Sequence, residues 1–127
     1  MTEEDKKLLL KDLSSRLTYN VKVYVKNWSK LDRKYYEGVY TVESIHSSLN
    51  TVLAYSDKFS VEIIVGYDDY VIKPYLFPMS EMTEEQYNQY VKYSAIESID
   101  WLNKNHFDYR GLIKKGLALD ATNLNIY

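Results

Sequence analysis

The chain has no cysteine, and only two prolines, four glycines and two histidines among its 127 residues. Without cysteine, neither a disulfide framework nor a thiolate metal site can form, which fits a reducing compartment. No glycine-rich phosphate loop, nucleophile motif or metal-ligand spacing occurs, so neither a cofactor nor a catalytic residue is expected. Nor is there a Pro/Gly-rich linker or an internal repeat. One domain over residues 1–127 is the simplest organisation at this length. The opening stretch MTEEDKKLLLKDLSSRL puts acids first and holds only three consecutive leucines. It reads neither as a signal peptide nor as a membrane span. A cytoplasmic protein without membrane contact is the expectation.

A strong excess of positive charge is also missing. Net charge is −2, which argues against a broadly basic nucleic-acid binder while leaving room for a local patch. The distribution is uneven. Residues 1–34 carry nine Lys/Arg against five Asp/Glu, residues 35–100 three against eleven, and residues 101–127 four against two. An acidic middle repels phosphate unless its acids face away from the contact.

What the chain does have is apolar material, at 46 % of residues, and fourteen tyrosines. The first suffices for a core without covalent staples. The second raises the odds of a binding surface, since a tyrosine ring is apolar with a polar tip.

Local patterns order these materials. Thr2 followed by Glu3, Glu4 and Asp5 is a helix start. Leu9, Leu13 and Leu17, with Leu10 beside them, make one apolar stripe on a helix of about residues 3–17. Val21, Val23 and Val25 then alternate with Lys22, Tyr24 and Lys26, the period of a half-exposed strand. NWSKLDRK breaks the alternation and reads as a loop. YYEGVYTVESI resumes it, with Gly38 a candidate bulge or close approach. TVLAYS, FSVEIIVG and DYVIKPYLF follow, so about five strands occupy residues 20–77. Pro74 cannot donate to a ladder and predicts an edge strand or a strand end. In MTEEQY, Thr83 and Gln86 make a capping box, and Met82 with Tyr87 a hydrophobic staple. Tyr87, Val91, Ala95, Ile99 and Leu102 continue as a stripe over a helix of about 84–104. Ser94 and Glu97 have the spacing of a second capping box, which predicts a break or kink there. Asp108 is a fit N-cap for a short helix over 109–115, and Gly116 its left-handed stop. The fold class expected is α+β: an N-terminal helix, a small antiparallel sheet or SH3-like barrel of about five strands, and a C-terminal helical segment.

Four groups of residues invite functional readings. In WLNKNHFDYRGLIKKG, residues 101–116, His106 has the chemistry of a general base, Asp108 of its orienting acid and Arg110 of an anion stabiliser. Each also has a structural role at a helix junction, and no further motif accompanies them. The same stretch read as a helix-turn-helix offers only Tyr109, Arg110, Lys114 and Lys115 on about two turns, weakened by Gly111. The stretch KVYVKNWSKLDRKYY, residues 22–36, interleaves Lys22, Lys26, Lys30, Arg33 and Lys34 with Tyr24, Trp28, Tyr35 and Tyr36. Cations with rings beside them are what single-stranded nucleic-acid binding uses, although lysines on a solvated edge strand also deter aggregation. Asp57, Glu62, Asp68 and Asp69 match no calcium loop and are ordinary turn chemistry, so no metal is expected. Finally, Tyr36 and Tyr40 share a strand parity that Tyr35 does not, which places tyrosines on both faces of the sheet.

The phrases LLLKDLSSRLTYNVKV, VIKPYLFPMSEMTEEQY and WLNKNHFDYRGLIKKGLALDATNLNIY resemble a set of small proteins encoded by gut Bacteroidetes and by their phages or mobile elements. The likeness spans most of the chain apart from the strands between about residues 27 and 68. In those proteins Pro and Gly more often stand where this chain has Thr18 and Asn20, and Asn is the next-best residue where a turn needs positive φ. The resemblance implies a bacterial or phage cytosolic setting and brings no activity, cofactor or catalytic residue. The reading favoured is an accessory protein that binds a protein partner, or a second copy of itself, through its sheet and tyrosine-rich surface. The alternative is a nucleic-acid-binding module. The binding residues expected are Lys22, Tyr24, Lys26, Trp28, Lys30, Arg33, Lys34 and Tyr36, with Tyr109, Arg110 and Lys114.

Overall fold

The computed structural model describes all 127 residues. Helix α1 runs Glu3–Ser15 and begins where its acids predict. The Thr2 hydroxyl accepts the Asp5 N–H at 3.0 Å while the Asp5 carboxylate accepts the Thr2 N–H, which satisfies two donors the helix leaves free. Leu9, Leu10 and Leu13 are buried, and the helix ends two residues earlier than the stripe predicts. A tight turn over Leu17–Tyr19 follows, closed by Asn20 at φ +55°, the left-handed position that asparagine tolerates.

Five strands come next: β1 Lys22–Ser29, β2 Lys34–His46, β3 Thr51–Tyr55, β4 Ser60–Ile64 and β5 Tyr70–Pro78. They pair antiparallel in the order β4-β3-β2-β1-β5. No ladder joins β4 to β5, so the sheet is open and the barrel alternative fails. β1 runs further than its alternation suggests. Trp28 pairs with Tyr35, and its N–H donates to the Asp69 carbonyl at 2.9 Å, so the expected loop shrinks to residues 30–33. Gly38 sits in regular register opposite Val25; the bulge lies instead between Val42 and Ser44.

Pro74 lies inside β5 at the point where the strand changes partner. It is the last β5 residue paired with β1. From Tyr75 onward two short parallel strands join β5 from opposite sides: β6 Phe107–Asp108 on the edge that β1 has left, where the His106 carbonyl accepts the Phe77 N–H, and β7 Leu119–Asp120 on the far edge, where the Leu76 carbonyl accepts the Ala121 N–H. Thus β5 is an edge strand up to Pro74, in line with the missing donor there, and becomes interior only beyond it, and the sheet is mixed.

Helices α2 Glu84–Tyr90 and α3 Ala95–Lys104 replace the single helix over 84–104. Thr83 and Gln86 cap α2 reciprocally, and the Ser94 hydroxyl caps α3. The break turns the expected stripe out of line: Tyr87, Val91, Ala95 and Ile99 are exposed, and Leu102 alone of that row is buried. The helix expected over 109–115 is absent. Asp108 accepts the N–H groups of Leu112 and Ile113 at 2.8 and 2.9 Å. A cap reaching that far leaves space for one turn only, between Gly111 and Gly116, both at φ +75°.

One core holds these parts together. Leu9 and Leu13 of α1 meet Val21, Val23, Val25, Val42, Val52, Ile63 and Ile72, and Leu112, Leu117 and Ala118 return from the C-terminal segment to complete it. At about 25 cal/mol per Å² of apolar surface removed from water, each fully buried leucine or valine contributes about 1.5–3 kcal/mol. The inward face of the sheet is thereby spent on packing, while on the outward face Tyr35, Val39 and Val71 stay exposed and only the end of β5 is covered, Phe77 meeting Phe107 and Tyr127.

Candidate functional site

Strand alternation decides what stands on that outward face. With Val23 and Val25 inward, Lys22, Tyr24, Lys26 and Trp28 of β1 point outward. The register sets Tyr35, Glu37 and Val39 of β2 on one side of them, and Val71 and Lys73 of β5 on the other. Tyr35, Val39 and Val71 are exposed, while Lys22, Tyr24, Lys26, Trp28 and Lys73 are half-buried in one another.

The rings and charges here are mutually arranged. Trp28 and Tyr35 meet edge to face with centroids 4.9 Å apart, and the Lys26 ammonium stands 4.5 Å from the centre of the Tyr35 ring. The Tyr24 hydroxyl donates to the Glu37 carboxylate. That bond, more than burial, pushes the hydroxyl up to about 12, so Tyr24 is a neutral donor at physiological pH to one carboxylate oxygen of Glu37. The hairpin tip adds Lys30, Arg33 and Lys34, all exposed, with Arg33 at φ +55° and Leu31 standing 92 % exposed.

The other expected site residues lie elsewhere. Tyr36 points to the inner side of the sheet, where it lines a shallow cleft of about 340 Å³ with Asn27, Tyr40 and Phe59, and its hydroxyl donates to Asp32. Tyr109 and Arg110 turn toward α1. Arg110 donates to the Asp12 carboxylate at 2.9 Å and to the Ser15 hydroxyl at 3.0 Å. Its guanidinium stacks 4.5 Å from the Tyr109 ring centre, whose hydroxyl donates to Asn103. Lys114 is exposed on the C-terminal turn, apart from both groups.

Asp12 also receives two bonds from Arg16, at 3.0 and 3.1 Å, and Arg16 donates to the Phe107 carbonyl at 2.6 Å. Both Asp12 and Arg16 are fully buried. Sequence reasoning missed this cluster, yet a signal existed: Asp12 and Arg16 sit four apart on the same helix face as Leu9 and Leu13, where charges are costly unless paired. For Val39, Val71 and Lys73 there was no such signal, because only strand register brings them beside β1.

His106 and Asp108 do not form an acid–base pair. Asp108 spends its carboxylate on the two backbone N–H groups described above. His106 is buried at φ +61°, its ring stacked 3.6 Å from that of Tyr127, and its Nδ1 has no partner. Burial first, then the charges of Arg16 and Lys22, holds it down to about 4, so the imidazole is neutral at pH 7. The cleft beside it is lined by Lys104, Asn105, Thr122 and Tyr127 but not by Asp108. No group of three His, Asp or Glu side chains gathers to hold a metal ion, and no helix is long and apolar enough to cross a membrane.

No family model, curated protein or solved structure matches the chain. The arrangement of its own residues is what bears on function.

Proposed function

We propose that the protein is a non-enzymatic interaction module and that the outward face of β2, β1 and β5, with the β1–β2 hairpin tip, is its working surface. The observation that carries this is the Trp28–Tyr35 ring pair, set among Lys22, Lys26 and Lys73 on a sheet face where Tyr35, Val39 and Val71 stay open to solvent. A chain that wanted only a solvated face has no use for five apolar or aromatic side chains side by side there. In the phage or mobile-element setting that the resemblance implies, such a module serves as an accessory to a larger assembly.

The test is a comparison of the full chain with a Lys26→Glu/Tyr35→Ala variant, both immobilised and exposed to an extract of the native host. A macromolecule held by the unmodified chain and lost from a variant of unchanged circular dichroism and melting supports the reading. Equal recovery by both, or recovery by neither, overturns it.

A further inference from the structure

Resting on that reading of the face, we propose that its occupant is a single-stranded nucleic acid. Three observations carry this. The first is the choice of cation. The face and its hairpin tip hold Lys22, Lys26, Lys30, Lys34 and Lys73 with a single arginine, Arg33. Lysine is depleted from protein–protein interfaces, whereas arrays of cations are what a phosphate backbone attracts. In a chain of net charge −2, residues 22–37 carry five cations against two acids, and both acids are engaged from within: Asp32 by the Tyr36 hydroxyl and Glu37 by the Tyr24 hydroxyl.

The second observation is the alternation along β1. Lys22, Tyr24, Lys26 and Trp28 follow one another on one face at two-residue intervals, roughly 6.5–7 Å apart on an extended strand. Cation and ring therefore alternate as phosphate and base alternate along a nucleotide chain. Lys73 on β5 and Tyr35 on β2 widen the row by one cation and one ring.

The third is the shape. A sheet face offers rings that unstacked bases can lie against, which single strands expose and duplexes hide. Asp68 and Asp69 lie in the turn leading to β5, where the Asp69 carbonyl holds the Trp28 N–H. They bound the row at its Trp28 end, so the strand's path is expected to run along Lys22–Lys26 and toward Lys34 rather than over that turn.

The experiment titrates fluorescein-labelled oligo(dT) and oligo(rU), about twenty nucleotides long, with the full chain at low and tenfold higher salt. Neutralising three phosphates predicts that affinity falls about a hundredfold over that interval. Lys26→Ala should weaken binding and flatten the salt dependence, whereas Tyr35→Ala should weaken it by roughly 5- to 150-fold with the salt dependence kept. Lys114→Ala, on the distant turn, should change nothing. Ultraviolet crosslinking of the unmodified chain supplies a readout that needs no variant, and the adduct should map to Trp28 or Tyr35. Absence of binding at low salt, preference for a duplex of the same length, or a crosslink confined to other residues each overturns the proposal. Polyglutamate binding that Lys26→Ala abolishes, with no oligonucleotide binding, also overturns it while leaving the interaction module itself standing.

Discussion

Two clusters in this molecule are built from the same chemistry, cations against aromatic rings, and they have opposite fates. At the junction of α1 with the C-terminal segment, Arg16 and Arg110 flank the Tyr109 ring and share the Asp12 carboxylate. Arg16 and Asp12 are sealed from water, and nearly every donor is spoken for. On the outward sheet face, Lys26 stands over Tyr35 and Lys22 and Lys73 flank Tyr24, yet no carboxylate pairs with any of these ammonium groups. The difference is one of residue choice as well as place. Arginine, with its planar fork, suits a buried bidentate contact with a carboxylate; lysine is a hydrated point charge on a flexible stem. The first cluster locks two ends of the chain together, and the second leaves its charge free for something outside.

The sharpest way to break that contrast is to remove the shared counter-ion. Asp12→Ala leaves two guanidinium groups facing a buried site without compensation, and a loss of about 3–5 kcal/mol is expected in urea denaturation. A loss below about 1 kcal/mol would mean that the cluster is no lock. Acid should attack the same junction more gently. Between about pH 4 and 6.5 the unfolded chain binds a proton at His106 that the folded chain, whose pKa is depressed to about 4, does not. Stability present above pH 6.5 is therefore lost as pH falls through that window, by at most about 2 kcal/mol at pH 5 given partial screening. Denaturation curves at pH 7, 6 and 5 read this slope, and His106→Asn, suited to the left-handed backbone, should flatten it. On the open face the effect should be smallest. Lys26→Ala is expected to change stability by no more than about 0.5–1 kcal/mol, the size of an exposed cation–ring contact, and a larger loss by the same denaturation would show that the face is structural after all.

Much of the fold was legible because its signals are local. The Thr2 and Thr83 caps, the Val21–Val25 alternation and the turn residues between β3, β4 and β5 act within a few positions of themselves. Most of the misreadings involve partners far along the chain. β6 and β7 are two residues each, and nothing in Phe107–Asp108 or Leu119–Asp120 announces a strand until β5 lies beside them. Asp108 was legible as a cap, but its reach to Leu112 and Ile113 rather than to the nearer N–H groups turned a helix into a single turn. The site divides in the same way. Lys22, Tyr24, Lys26 and Trp28 share a face by parity alone, whereas the diversion of Tyr109 and Arg110 to α1 follows from a contact 98 residues away in sequence.

The return of the C-terminal segment to the core has a consequence for synthesis. The five antiparallel strands are complete at residue 78, but the places of Leu112, Leu117 and Ala118 in the core they share with Leu9 and Val21 stay empty until roughly forty more residues are added. At ~5–20 residues per second, those residues take roughly 2–8 seconds to make, an interval in which the core lacks three of its apolar side chains.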